Sequence, residues 1–342
     1  MLTKRMTLVI GVVLVCGAAA CGGDADSASD DAAPTQTAQS AQEGPPAKIA
    51  VSVPAADHGW LKAVSDDAKQ EGKALGDQVQ LTINDSATSS AEQADQIETL
   101  LGEKPDVLVV LPFEGDALTP VAQKATAAGI DVVNVDREFS TPGAFRTWIG
   151  GDNYGIGWQA GNFFADELKC VGNVVEIQGL AGISVTEDRS KGFKDALTER
   201  CKDGIKIVAS QPADFAPDKG LSVMENILQA QSDIDAVYTH DDDMAQGVVQ
   251  AIRNAGRDDE MFLTGVGGSQ DAMQQIKEGG LYRATFLYNP NMAASAVNMA
   301  RLIGLGEGFE ELVPPEVPRQ VVVPAAVVTK DNVEDYEQYA FD

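Results

Sequence analysis

Ile130-Asp131-Val132-Val133-Asn134-Val135-Asp136-Arg137-Glu138-Phe139 is an apolar run that stops on a charged pair. Val132, Val133 and Val135 are β-branched and close together, which reads as a short buried strand. In an open parallel α/β sheet, ligands bind in the crevice beyond the carboxyl ends of the strands, so Asp136 and Arg137 stand where a polar ligand is met. An ionised Asp only accepts hydrogen bonds and an Arg only donates them; together they can hold adjacent hydroxyls of one molecule from both sides. A structural ion pair closing a strand end is the other reading of the stretch.

Outward from it, short apolar runs alternate with amphipathic stretches, the pattern of βα units on a parallel sheet. Strands are expected at 48–53, 78–84, 107–111 and 132–135, with helices at 60–75, 91–101 and 119–128 between them. After Gly150 the pattern restarts: helices at 154–169, 187–199, 218–231, 243–255 and 269–279, strands at 173–178, 206–211, 236–239, 262–265 and 283–287. A helix at 291–305 and a strand at 325–328 complete it, separated by Pro314, Pro315 and Pro318. The fold class expected is α/β, two doubly wound parallel-sheet domains joined by a multi-strand hinge. One lobe takes 47–150 plus 289–319, the other 151–288 plus 320–342. Several crossings make a hinge, and the cleft between the lobes becomes the binding site.

At 342 residues the chain suits two domains. Its formal charge of −27 and the lack of any basic cluster exclude nucleic acid as a partner, since a binder must neutralise phosphates. Lys4 and Arg5, an apolar run at 6–15 and small residues Ala18, Ala19 and Ala20 before Cys21 form a targeting segment. It resembles the lipobox of bacterial lipoproteins, with Ala18 where Leu is usual; an ordinary secretory cleavage nearby is the alternative. Residues 1–20 are then a signal peptide, and 21–46 a lipidated Cys21 followed by a disordered tether poor in large apolar residues. Losing Lys4 and Arg5 takes the charge from −27 to −29. The protein is expected outside the cytoplasm, at the outer face of the cytoplasmic membrane or in the periplasm, touching the membrane through its lipid only. Cys170 and Cys201 each close a helix just before the next strand, which brings them to one sheet edge and points to a disulfide in an oxidising setting; two buried thiols are the alternative.

Polar and aromatic residues gather past the strand ends of both halves: Asp57, His58, Trp60, Asp136, Arg137, Arg189, Phe215, His240, Asp241 and Asp242. Carboxylates and guanidiniums suit hydroxyls, and flat apolar faces suit the C–H surface of a polyhydroxyl ligand. Taken singly, His58 also reads as a surface turn, and Trp60 and Phe215 as packing aromatics. The segments Val174-Val175-Glu176-Ile177-Gln178-Gly179, Ala209-Ser210-Gln211-Pro212-Ala213-Asp214-Phe215, Lys219-Gly220-Leu221-Ser222-Val223-Met224-Glu225-Asn226 and Asp242-Asp243-Met244-Ala245 carry a resemblance. Across about 48–330 the chain resembles the type I periplasmic sugar-binding proteins of ABC importers, the ribose-binding branch in particular. The resemblance implies that Trp60 and Phe215 stack on the ligand, that Asp136, Arg137 and Arg189 bind its hydroxyls, and that Asp241 replaces an Asn. It also implies ABC permease subunits as partners, a monomer and no cofactor. The chain departs from the branch at His58, Gly267 and Tyr288, where the ribose binders have Asn, Asp and Gln. Unmatched buried partners reject a ligand strongly, so another monosaccharide or a linear polyol is expected instead of ribose.

Other readings weigh less. Three consecutive residues of the His240-Asp241-Asp242-Asp243 run seldom all face one ion, so no metal is expected; Asp243 reads as a helix N-cap or first-turn acid, Asp241 as the pocket residue and Asp242 as its support. Gly155, Gly157 and Gly161 lack dinucleotide-loop spacing. Asp136 and Asp241 form a carboxylate pair of the kind glycosidases use, but no nucleophile or phosphate loop accompanies them, and a non-enzymatic binder is expected. A sugar-sensing receptor for chemotaxis or signalling is a further alternative; a repressor of the same fold conflicts with the export signal.

Overall fold

The computed structural model describes residues 44–342. The expected signal peptide, the lipidated Cys21 and nearly all of the tether lie outside the described residues.

The first lobe is built from β1 (Ala47–Pro54), α1 (Gly59–Leu75), β2 (Val79–Ala87), α2 (Ser90–Gly102), β3 (Val107–Val110), α3 (Gly115–Ala127), β4 (Asp131–Val135) and β5 (Thr147–Gly151). The second follows with α4 (Asn153–Glu167), β6 (Gly172–Gln178), α5 (Ser184–Cys201), β7 (Ile205–Pro212), α6 (Pro217–Ala230), β8 (Ala236–Thr239), α7 (Asp242–Asn254), β9 (Phe262–Gly267), α8 (Gln270–Glu278) and β10 (Tyr282–Leu287). The chain then returns through α9 (Met292–Gly304), β11 (Gln320–Val323), β12 (Val327–Thr329) and α10 (Val333–Tyr336).

Two six-stranded sheets result, ordered β11-β5-β4-β3-β1-β2 and β12-β10-β9-β8-β6-β7. Every pairing is parallel except β10 with β12, an antiparallel edge. Parallel strands covered by helices on both faces must be apolar throughout, and Val107, Leu108, Val109 and Val110 of β3 are all buried. In α1 the buried residues Trp60, Leu61, Val64, Ser65 and Ala68 recur at helical spacing and seat that helix on the sheet beside α9.

Among the described residues the chain crosses between sheets three times, after β5, after β10 and after β11. The last crossing corrects the expected lobe limits: β11 pairs with β5 in the first sheet, so residues 320–323 belong there, and Gly151 still belongs to β5. Cys170 and Cys201 are joined by a disulfide with their Cα atoms 4.9 Å apart.

Candidate functional site

The loop after β4 is fastened by its backbone. Asp136 sits in the left-handed region, φ 59°; its N–H donates to the Ile149 carbonyl at 2.9 Å and its own carbonyl accepts from Trp148 Nε1 at 3.0 Å. Asn134 ties the turn, donating to the Arg137 carbonyl at 3.0 Å and accepting from the Phe139 N–H at 3.0 Å. The Asp136 carboxylate and Arg137 guanidinium are thereby turned inward, both buried, with Nε 3.9 Å from Oδ2. Arg137 Nη1 donates to the Phe113 carbonyl at 2.6 Å. Burial lowers the pKa of Arg137 against the opposing pull of Asp136 and Asp57.

Four rings surround the pair. Trp60 Nε1 donates to the Tyr288 carbonyl at 2.8 Å, and the two rings lie 5.4 Å apart. His58 stacks on Phe215 with 5.9 Å between centroids and 28° between planes. Phe215 and Asp214 both adopt positive φ, and Gly179 supplies the room: a Cβ there would run into the Phe215 ring. Asp57 does not enter the site. Its carboxylate is 63% exposed and hydrogen-bonded to His58 Nδ1. Partial burial raises the Asp57 pKa, but the bond and charge of His58, with Arg137 behind it, bring the net shift below the ordinary value.

From the second lobe, Arg189 of α5 donates through Nε to Asn153 Oδ1 at 2.9 Å and through Nη1 to the His240 carbonyl, with its guanidinium 4.7 Å from the Tyr288 ring centre. The three aspartates after β8 take three different positions. Asp241 caps α7, accepting from the Met244 N–H at 2.9 Å, and faces the cavity. Its pKa is pushed well up, first by burial and then by Asp243, with Asp242 adding to it. Asp242 turns inward and accepts from Gly268 N, Ser269 N, Tyr282 Oη and Thr285 Oγ1 at 2.6–2.9 Å. Asp243 is the expected first-turn acid; the N-cap alternative falls to Asp241. Among the described residues no group of three or more His, Cys, Asp and Glu is placed to hold a metal.

His240, grouped with the site by its position in sequence, is fully buried away from the cavity, with Nε2 3.2 Å from Glu176 Oε1. Glu176 also accepts from Ser210 at 2.6 Å and lies 3.3 Å from Lys194 Nζ. Burial acts to raise the Glu176 pKa, but its hydrogen bonds and the neighbouring His240 win and bring it down to about 2, while burial lowers that of His240. The pair is an ionised carboxylate against a neutral imidazole.

His58, Trp60, Asp136, Arg137, Arg189, Phe215, Asp241, Gly267 and Tyr288 line one cavity. Of the residues gathered from the sequence these nine meet there, while Asp57, His240 and Asp242 do not; Val185 and Val266 also line it and carry no sequence signal beyond apolarity. Asn153, behind Arg189 and Tyr288, was likewise missed: a helix-start Asn reads as ordinary capping chemistry.

Residues 49–308 match the model of the periplasmic binding protein domain family. The ribose import binding protein RbsB of Bacillus subtilis is 32% identical over 244 residues, 71% of this chain and 77% of the relative. The galactofuranose-binding protein YtfQ of Escherichia coli is 32% identical over 261 residues, 73% of this chain and 80% of the relative. Among solved structures, an ABC transporter solute-binding protein of Mycobacterium smegmatis with bound glycerol superposes with a TM-score of 0.77 at 32% identity, covering 85% of this chain and 96% of that one. These relatives are solute-binding proteins, not enzymes.

Proposed function

Since the chain belongs to the periplasmic binding protein family, among the sugar-binding proteins of ABC importers, we propose that it captures a monosaccharide or polyol between its lobes and presents it to an ABC permease. The observation that carries this reading is the facing of two acid–guanidinium sets, Asp136 with Arg137 and Asp241 with Arg189, across a cavity walled by Trp60, His58, Phe215 and Tyr288. Hydroxyls need donors and acceptors side by side, and sugar C–H surfaces need flat apolar faces. In this reading Asp136, Arg137, Arg189 and Asp241 bind hydroxyls, while Trp60 and Phe215 hold the carbon skeleton. Asp57 acts through His58.

Binding is coupled to bending at the three crossings: the ligand meets one wall, the lobes close, and groups from the second wall complete its contacts in a desolvated site. His58, Gly267 and Tyr288 argue for a ligand other than ribose, because ribose hydroxyls matched to Asn, Asp and Gln would be left without partners here. Export and lipid attachment at Cys21 place the binder, as a monomer, at the outer face of the membrane that holds its permease.

A thermal-shift panel of pentoses, hexoses and linear polyols tests the function, since a ligand that binds only the native state raises the melting temperature. A hit confirmed by calorimetry supports the reading. Turnover of any sugar or glycoside, or no shift across the panel, would sink it. For the anchor, metabolic labelling with a radioactive fatty acid should mark the wild-type chain and spare the Cys21→Ala variant.

A further inference from the structure

Tyr288 follows β10 in the second crossing, and its phenol has no bonding capacity left. It donates to Asp136 Oδ1 and accepts from Asn153 Nδ2 at 3.3 Å and from Gly151 N at 3.4 Å. A phenol has one proton and two lone pairs, so all are in use. The ring is held as firmly: Trp60 packs on it, the Arg189 guanidinium lies over it, and a Cβ at Gly151 would run into it. What Tyr288 presents to the cavity is carbon.

This changes what Asp136 offers. With one lone pair of Oδ1 taken by Tyr288, the open acceptor capacity of Asp136 lies mainly on Oδ2, 3.9 Å from Arg137 Nε, a buried N–H without a hydrogen-bond partner. Acceptor and donor stand side by side at that end of the site. Nor does Gly267 supply a side-chain acceptor. Its φ of +139° strains any residue that carries a side chain, and a Cβ there would lie 3.3 Å from both Asp242 Oδ2 and the Phe341 ring, tighter than ordinary contact.

Resting on the sugar- or polyol-binding reading above, we infer that Tyr288 sets the ligand class: the site takes a sugar that carries no hydroxyl on the carbon facing Tyr288 and Gly267, a deoxygenated sugar in preference to its fully hydroxylated counterpart. A hydroxyl brought to that wall is buried without a partner and forfeits its bonds to water. A hydrogen or methyl group meets the ring at no such cost.

The test is calorimetry on the exported chain with sugar pairs that differ by one hydroxyl: D-ribose with its 2-deoxy and 5-deoxy forms, L-galactose with L-fucose, L-mannose with L-rhamnose. In at least one pair the deoxygenated member should bind about ten- to a hundredfold tighter, the range an apolar wall achieves against an added hydroxyl. Tyr288→Gln should reverse that ratio, and Tyr288→Phe, which frees Asp136 Oδ1 for a ligand hydroxyl, should shrink it. The inference is overturned if the hydroxylated member binds tighter in every pair that binds, or if neither folded variant alters the ratio; both results leave sugar binding standing. Should a variant fail to fold, the wild-type ratio alone decides. No binding by any sugar or polyol overturns the underlying reading and this inference with it.

Discussion

Asp243, in the first turn of α7, accepts the backbone N–H of Trp60 at 3.0 Å, so a carboxylate of the second lobe caps a helix of the first. The residue at the N-cap of α1 is His58, whose side chain makes no capping bond. The exposed amides and positive dipole end of α1 are thus served across the cleft, by a contact that exists only while the lobes are together.

Removing this contact should speed opening. Asp243→Ala is expected to weaken ligand binding about two- to thirtyfold, the equivalent of a helix cap worth about 0.5–2 kcal/mol, with the change in the dissociation rate. Stopped-flow displacement measures it; a dissociation rate equal to that of the wild type would show that the contact does not hold the lobes.

Asp136 carries more than one bond. Asp136→Asn keeps the shape but removes the charge beside Arg137, and should cost about ten- to a hundredfold in affinity, as loss of a charged hydrogen bond of about 1.5–3 kcal/mol does. Asp136→Ala also strands the Tyr288 hydroxyl and should lower the melting temperature further than the Asn variant does. Wild-type affinity in the Ala variant would take Asp136 out of the site.

The Glu176–His240 pair makes stability acid-sensitive. Glu176 titrates near 2 when folded against 4.5 ordinarily, so its contribution is fully present above about 4.5 and is lost as the pH falls towards 2. A shift of that size corresponds to about 3 kcal/mol. His240, lowered by burial from 6.5, adds to the loss below that pH because the unfolded chain takes up its proton first. Denaturant titrations of the wild type and Glu176→Gln should show a gap in stability that narrows as the pH falls from about 4.5 towards 2. A gap independent of pH over that window would mean that Glu176 is not held ionised.

The disulfide stabilises the second lobe without touching the site. Cys170 and Cys201 are 31 residues apart in sequence, and closing a loop of that length is worth about 3–4 kcal/mol in the chain-entropy account. The double Ser variant should unfold at lower denaturant concentration and bind ligand with unchanged affinity. Two titratable thiols in the purified wild-type protein would rule the bond out.

The two strands that local pattern does not show share a cause. β5, Thr147-Trp148-Ile149-Gly150-Gly151, ends in two glycines that weaken its strand signal; it is a strand because it pairs with β4 on one side and β11 on the other, its glycines leaving room for the rings of Trp148 and Tyr288. β11 is an edge strand with alternating exposure, hidden among prolines, and a valine run does not say which sheet it joins. Such residues become strands through neighbours far away in the chain.

Local pattern was enough for the alternating strands and helices, the restart of the βα pattern near residue 150, and the charged and aromatic residues past the strand ends, because period and composition report on burial within a segment. It could not apportion Asp241, Asp242 and Asp243. Adjacent residues in a helix's first turn point about 100° apart, and packing alone decides that one faces the cavity, one the core and one the other lobe. Nor could it reveal that the Asp136 carboxylate, at the end of the run from Ile130, already accepts a hydrogen bond from Tyr288, 152 residues further on. Hydrogen-bond capacity is a property of a site, and only folding brings its donors and acceptors together to be counted.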